Sequence, residues 1–360
     1  MASSGLKGFD MRPSGIFDER YEQDIAVIRT KAHWGILFVG LGLLCFLPWV
    51  VTPHYLSTIN HIGIAIVAAH GLSILTGYTG LISIGQAAFM AVGAYTAGIL
   101  ATQAGWPFWA TIPMSGLSAG VVGMIFGLPS LRVKGFYLAM ATLAAQFIIP
   151  WLIDHVRVDI TGGVFSLVVP PPKIFGFVFN GQLKMFYLIM PIAALMTFLA
   201  KNIVRSGIGR AFISIRDNDL AAEVMGVNLF RYKLLSFFVC SFFAGVAGAL
   251  WAYWMRSVNA SHFSLTESVW YLGMIITGGL GSTVGAVIGV IYVAMLDEIA
   301  QVVAPLAGLI FKGIGTGSEL AFQPILFGLG ILLFIIFEPR GIAHRWEIFK
   351  SYYRLWPFSD

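Results

Sequence analysis

Apolar runs of about 20 residues, each long enough to cross a bilayer as a helix, recur along this 360-residue chain. Nothing else in the sequence constrains its fold as much. The runs lie at 34–51, 62–76, 84–103, 109–127, 135–153, 185–204, 234–255, 268–280, 284–303 and 320–337. Only 11% of residues are charged, against roughly a quarter in soluble domains. A water-soluble core has no room for so much apolar surface, so lipid must solvate most of it. The fold expected is an all-α polytopic membrane protein with about ten transmembrane or partly spanning helices. The short runs 62–76 and 268–280 are expected to be tilted or broken helices, their freed backbone groups met by protein or by a water-filled cavity.

Lys and Arg set the orientation. With the amino terminus in the cytoplasm, 17 of them fall on the inside and five on the outside, the bias that orients membrane proteins. The predicted order is a cytoplasmic segment 1–33, a transmembrane domain 34–338 and a cytoplasmic tail 339–360, so both termini lie inside. Within the domain, 154–184 is read as an outer loop and 205–233 as an inner one. Bulky residues alternating around Asn180-Gly181 predict a hairpin with a two-residue turn there. The first 33 residues hold five acids and five bases, so no cleavable signal peptide is expected. The net charge of +5 is scattered between spans, which argues against nucleic acid. Cys45 and Cys240 sit in apolar runs and read as buried thiols.

One charged island interrupts the second half: "GRAFISIRDNDLAAEVMGVN", residues 209–228, with Arg210, Arg216, Asp217, Asp219 and Glu223 close together. Asp219 is placed to cap a short helix from Leu220 to Met225, with Glu223 near its positive end. Gly226 supplies the left-handed residue that ends it. Leu220, Val224 and Val227 share one face, and Asp219 and Glu223 another. Such a helix is either a connector resting its apolar side on the bundle or a knob that fits a cytoplasmic partner. Residue types alone leave both open.

Absences narrow the chemistry. There is no G-x-x-x-x-G-K-[ST] loop, no H-E-x-x-H pair and no nucleophile elbow. The seven histidines are dispersed, so neither catalytic residues nor a metal site is expected. Asp297 and Glu298 are read as lying near the outer end of a span and the other charges at span ends. That argues against an ion-coupled carrier, which buries acids near the midplane.

Two glycine-rich breaks, "GYTGLISIGQ" (77–86) and "TGGLGSTVG" (277–285), interrupt the apolar runs. Tyr78, Ser83, Gln86, Thr277, Ser282 and Thr283 either line a polar path there or satisfy the broken backbone. Ala87, Ala91, Ala94 and Gly98 on one stripe, and Gly285 with Gly289, predict close helix packing.

The stretch "IRDNDLAAEVMGVNLFRYKLLSF", followed by "FFAGVAGALWA", resembles the cytoplasmic loop of ABC-importer permeases, in the LivM-like branch that serves branched-chain amino acid uptake. "GYTGLISIGQAAFMAVGAYTAGIL", "GFYLAMATLA", "ITGG" and "FEPRG" are similar to further signatures of that family, in order over residues 35–342. The resemblance implies a permease subunit in a bacterial inner membrane, with the island as a coupling helix seated on an ATP-hydrolysing partner. The coupling residues would be Arg216, Asp217, Asp219, Ala221, Ala222, Glu223 and Gly226. It also implies a heterodimer with a homologous permease, two ATP-binding subunits that use ATP-Mg, and an extracytoplasmic substrate-binding protein. This chain itself would bind no cofactor. The residue order departs from the general loop signature, and the Ile-x-Leu-Pro of many such permeases is missing after Gly226. Urea, amide or other small carboxylate importers share the fold and remain alternatives for substrate. An ion-coupled carrier or channel is the alternative of another class.

Overall fold

A computed structural model describes residues 35, 42 and 46–355, apart from 132–134, 157, 164, 175, 311–317 and 339–340. The fold is all-α. Among the described residues, six helices are long and apolar enough to cross a membrane, where ten full or partial spans were expected. The first run and the segment 1–33 lie almost wholly outside the described residues, although 46–50 is helical. Cys45 also falls outside them.

Helix α1, Pro53–Leu72, starts on a proline in its first turn and continues through π-helical turns at Ser73–Tyr78. The whole element is 26 residues long, which corrects the short run 62–76. Its first half escaped notice because His54, Thr58, Asn60 and His61 lower its hydropathy. Two of these polar groups are paired across the bundle. Asn60 is fully buried and donates to the backbone and side-chain oxygens of Gln182 at 3.0 and 3.1 Å. Thr58 donates to Glu298 at 2.7 Å.

The chain then runs through α2 (Gln86–Thr102), α3 (Phe108–Gly127), α4 (Phe136–His155) and α5 (Gln182–Arg205). The island forms α6 (Gly207–Asp217) and α7 (Asp219–Val224), and α8 (Leu229–Met255) returns across the bundle. Helix α9 (Leu265–Gly278) has only 14 residues, short as the sequence indicated. After it come α10 (Thr283–Ile310), α11 (Ser318–Phe337) and α12 (Ile342–Leu355).

Helix α8 is the centre of the packing, against α1, α2 and α3. Lipid offers no hydrophobic drive between helices, so close backbone approach must hold them together. A Cβ on Gly93 would fall 2.2 Å from the Gly245 carbonyl oxygen, and one on Gly248 2.0 Å from that of Met90. The Gly285 and Gly289 pair packs in the same way against Gly278 and Met274 of α9. Ala87, Ala91 and Ala94 are fully buried. Outward, Trp109, Leu117, Val121 and Ile125 of α3 stay bare, as suits a helix whose solvent is lipid. Gly248→Val is expected to destabilise the bundle by at least the upper end of the ~1–3 kcal/mol typical of overpacking. A thermal melt of the detergent-solubilised chain checks this; an unshifted midpoint refutes the contact.

At the end of the bundle away from the island, Leu167–Val168 pairs antiparallel with Ser257–Val258, tying the segment after α4 to the segment after α8. The hairpin expected around Asn180-Gly181 does not form; a different one lies just before it, Lys173–Ile174 pairing with Phe177–Val178. Gly176 takes φ 85° in the turn between them. Gly181 instead caps α5, and the bulky residues after it are helical. At the island end, Gly341 opens α12 pressed against Gly279, where a Cβ would fall 2.4 Å from the Gly279 Cα.

Candidate functional site

The island is two helices at a sharp bend. Ser206 caps α6, its hydroxyl accepting from the Ile208 N–H at 3.2 Å. At the bend, Asn218 is extended (φ −160°, ψ 108°) and caps α7, accepting from the Ala221 N–H at 3.1 Å. The cap is therefore Asn218, one residue before the Asp219 expected from sequence. An amide oxygen caps as well as a carboxylate, and Asp219 reaches elsewhere. It faces the buried Lys233 of α8 at 3.6 Å. Gly226 (φ 89°) closes α7, with the Gly226 N–H on the Glu223 carbonyl and the Val227 N–H on that of Ala222, a Schellman ending.

The orientation of α7 separates the two readings of its apolar face. Ala222 is the buried residue; Leu220 is 67% exposed, Val224 87% and Met225 84%. The apolar side points away from the bundle, so it does not rest there. Burying a Leu, Val or Met side chain is worth about 1.5–3 kcal/mol, and α7 with the Met225 that follows it offers three at once. Ala221 and Glu223 are also exposed.

Behind this knob stands Arg216, at the end of α6. Its guanidinium donates to the Gly77 carbonyl at 3.2 Å and pairs with Asp217 at 2.9 Å. Gly77 belongs to the first break, and the second break lies against it: a Cβ on Gly77 would fall 2.3 Å from the Gly281 N, and one on Gly281 3.3 Å from the Arg216 Nη1. The two breaks, about 200 residues apart in sequence, thus meet each other and the island's arginine. Beside them is a cavity of about 520 Å³ bounded by Arg216, Gly279, Gly281, Ser282, His344 and Glu347.

Four of the six path residues make side-chain hydrogen bonds to backbone groups. Ser83 accepts from the Gly85 N–H at 3.4 Å, and Gln86 donates to the Ala68 carbonyl at 2.8 Å. Thr277 donates to the Gly273 carbonyl within its own helix at 2.9 Å, and Ser282 accepts from the Gly285 N–H at 3.0 Å. Three of these bonds are local, and that of Gln86 crosses from α2 to α1. Tyr78 is buried, its hydroxyl facing the backbone of Thr283, and Ser282 alone of the six lines the cavity.

Sequence reasoning missed the groups that hold the start of α2. That helix begins inside the bundle, where its first N–H groups lack water. The Ala87 N–H donates to Ser268 Oγ at 2.9 Å and the Ala88 N–H to Gln146 Oε1 at 3.0 Å. The Ile84 N–H donates to Thr142 Oγ1 at 3.0 Å. Cys240, fully buried, donates to Gln86 at 3.3 Å. The available signal was a lone Thr and Gln in the run 135–153 and a lone Ser opening the run 268–280. The acids also need correction: Asp297 and Glu298 fall at the middle of α10, not near its end, because that helix runs on to Ile310. Among the described residues no group of His, Cys, Asp and Glu is arranged to hold a metal ion.

Membrane-length helices, two chain breaks that meet and a bent helix pair at one end describe a multi-pass membrane protein. The family described as "Branched-chain amino acid transport system / permease component" matches residues 55–335, and the chain belongs to that family. It is 28% identical over 278 residues to the "High-affinity branched-chain amino acid transport system permease protein LivM" of Escherichia coli (strain K12), covering 71% of this chain and 65% of that protein. The probable LivM of Methanocaldococcus jannaschii is 24% identical over 232 residues, 62% of this chain and 64% of that protein. The "Ribose import permease protein RbsC" of Bacillus subtilis (strain 168) is 23% identical over 311 residues, 82% and 91% respectively. The chain thus spans about two thirds of the length of the LivM proteins it matches. No solved structure matches it.

Proposed function

We propose that this chain is the membrane-spanning permease subunit of an ATP-driven importer in a bacterial inner membrane, translocating branched-chain amino acids delivered by an extracytoplasmic binding protein. The island lies in the cytoplasm, and α7 seats its apolar side in a groove on an ATP-hydrolysing partner that binds ATP-Mg. Two such partners and a homologous permease complete the assembly. The observation that carries this reading is the outward apolar face of α7, braced from behind by Asp219 on Lys233 and by Arg216 on the Gly77 carbonyl. Movement of the partner displaces α6 and α7, Arg216 passes the displacement to the two breaks, and the bundle alternates between openings. The distribution of Lys and Arg supports the orientation.

Membrane-impermeant maleimide on Met225→Cys, in a chain with Cys45→Ser, tests the placement. Inside-out vesicles are expected to label and right-side-out vesicles to stay blank, because Cys240 is buried. Uptake of L-leucine into proteoliposomes holding the whole complex is expected to require ATP. Labelling from the outer side, or leucine movement without ATP, would overturn the reading.

A further inference from the structure

A second cavity, of about 260 Å³, lies in the half of the bundle away from the island. Its walls come from the first half of α1, the start of α2, the end of α8 and the segment leading into α9. Sites for drug-sized ligands run to ~300–1,000 Å³, so this one suits a smaller solute. The proposed function does not use it.

Its lining is chemically divided. One side is apolar and aromatic: Met90, Trp251, Phe263 and Tyr271. Trp251 meets the rings of Phe263 and His262 edge-on, with centroids 5.1 and 4.9 Å apart, which fixes the shape of that wall. The other side carries Glu267, which is exposed to the cavity. Among the described residues its carboxylate has no hydrogen-bond or ion-pair partner. Glu267 stands in the first turn of α9, whose positive end offsets part of its charge, and Asp297 acts electrostatically on both Glu267 and His61. A charge at this depth calls for an opposite one, and a cationic solute would provide it.

Two helices also begin at this cavity. Ala87, in the first turn of α2, lines it, as does Ser264, the cap of α9. Broken helices of this sort direct their positive ends toward the anionic group of a solute. The frame is rigid: Gln146 donates to the Phe263 carbonyl at 2.7 Å and accepts from Ser268 at 2.8 Å, while Ser268 accepts from the Ala87 N–H. The beginnings of α2 and α9 are thereby held together across the cavity floor.

We infer that this cavity is a binding site for a zwitterionic α-amino acid with an apolar side chain. Glu267 takes the ammonium group, Ser261 and His262 take the carboxylate with the positive ends of α2 and α9 favouring it through space, and Trp251, Phe263 and Met90 take the side chain. The inference rests on the proposed function for its substrate class and adds to it a place and a residue. The permease itself then discriminates, after delivery. In the orientation proposed above the cavity lies toward the side from which solute arrives.

The test is saturable binding of radiolabelled L-leucine to the purified complex, without the extracytoplasmic binding protein, competed by two half-ligands. These are 4-methylpentanoate, which lacks the ammonium group, and isopentylamine, which lacks the carboxylate. Neither is expected to compete at concentrations where leucine does. Glu267→Gln is expected to weaken leucine binding at least about tenfold, equivalent to about 1.4 kcal/mol, and to raise the KM of uptake more than it lowers kcat. Glu267→Asp keeps the charge and is expected to retain part of the affinity, which a merely structural role would not produce. Equal leucine affinity in Glu267→Gln and wild type would overturn the inference, as would full competition by 4-methylpentanoate. Full competition by isopentylamine would make the cavity a plain cation site and overturn it too. A wild-type complex that transports leucine without saturable binding removes the cavity while sparing the proposed function. One that transports no leucine removes both.

Discussion

Replacing Leu220 and Val224 together by Asp is expected to abolish ATP-driven uptake while the chain still inserts in the membrane. Both side chains point away from the bundle, so the change leaves the packing of the permease itself alone. What it removes is apolar area available to a partner, about 1.5–3 kcal/mol for each side chain. It also puts two charges where a groove would have to desolvate them. Losing about 3 kcal/mol or more weakens seating of this helix by more than about a hundredfold. The measurement is leucine uptake beside ATP hydrolysis in the same proteoliposomes, with Leu220→Met as the variant that keeps the apolar face. Hydrolysis should persist or fall to the rate of the free ATPase while uptake drops to background. Uptake equal to wild type in the double variant would remove α7 from the mechanism.

The second large effect is expected at Gly77. Valine there places a Cβ about where the backbone nitrogen of Gly281 now lies, at 2.3 Å, and backbone does not yield as a flexible side chain does. The breaks must part, and the Gly77 carbonyl moves from the Arg216 guanidinium. A hydrogen bond to a charged group contributes about 1.5–3 kcal/mol, and the overpacking adds to that loss. A lowered melting midpoint is expected together with lost transport, even though α7 keeps its exposed face. Arg216→Ala offers the milder comparison, since it deletes the link without forcing the breaks apart. If Gly77→Val transports like wild type, the two breaks are not in contact in the working protein.

What the sequence disclosed follows from which forces are local. The shortness of α9 was legible because Gly278 to Gly281 stop a helix by backbone conformation alone. The full length of α1 was not, because Asn60 and Thr58 look unsuited to lipid until Gln182 and Glu298, far along the chain, are set beside them. The hairpin at Lys173–Val178 was not legible, because Asn180-Gly181 nearby has the stronger local turn preference yet serves as the start of α5. The Schellman ending at Gly226 is a local device and was readable. Which side of α7 faces the bundle was not, since a period of 3.6 residues defines a face without saying what covers it. The cavity beside Glu267 joins residues from four elements, with His61 and Glu267 about 200 positions apart, so only the folded chain brings them together.

The abutment of Gly341 on Gly279 has a consequence for the tail. With no Cβ on either residue, the carboxy-terminal helix is hinged straight onto the chain that joins α9 to α10. Displacement of that junction is therefore expected to carry the 14 residues of α12 with it. A fluorophore on α12 is expected to register movement between α9 and α10 at a position exposed on the surface of the chain.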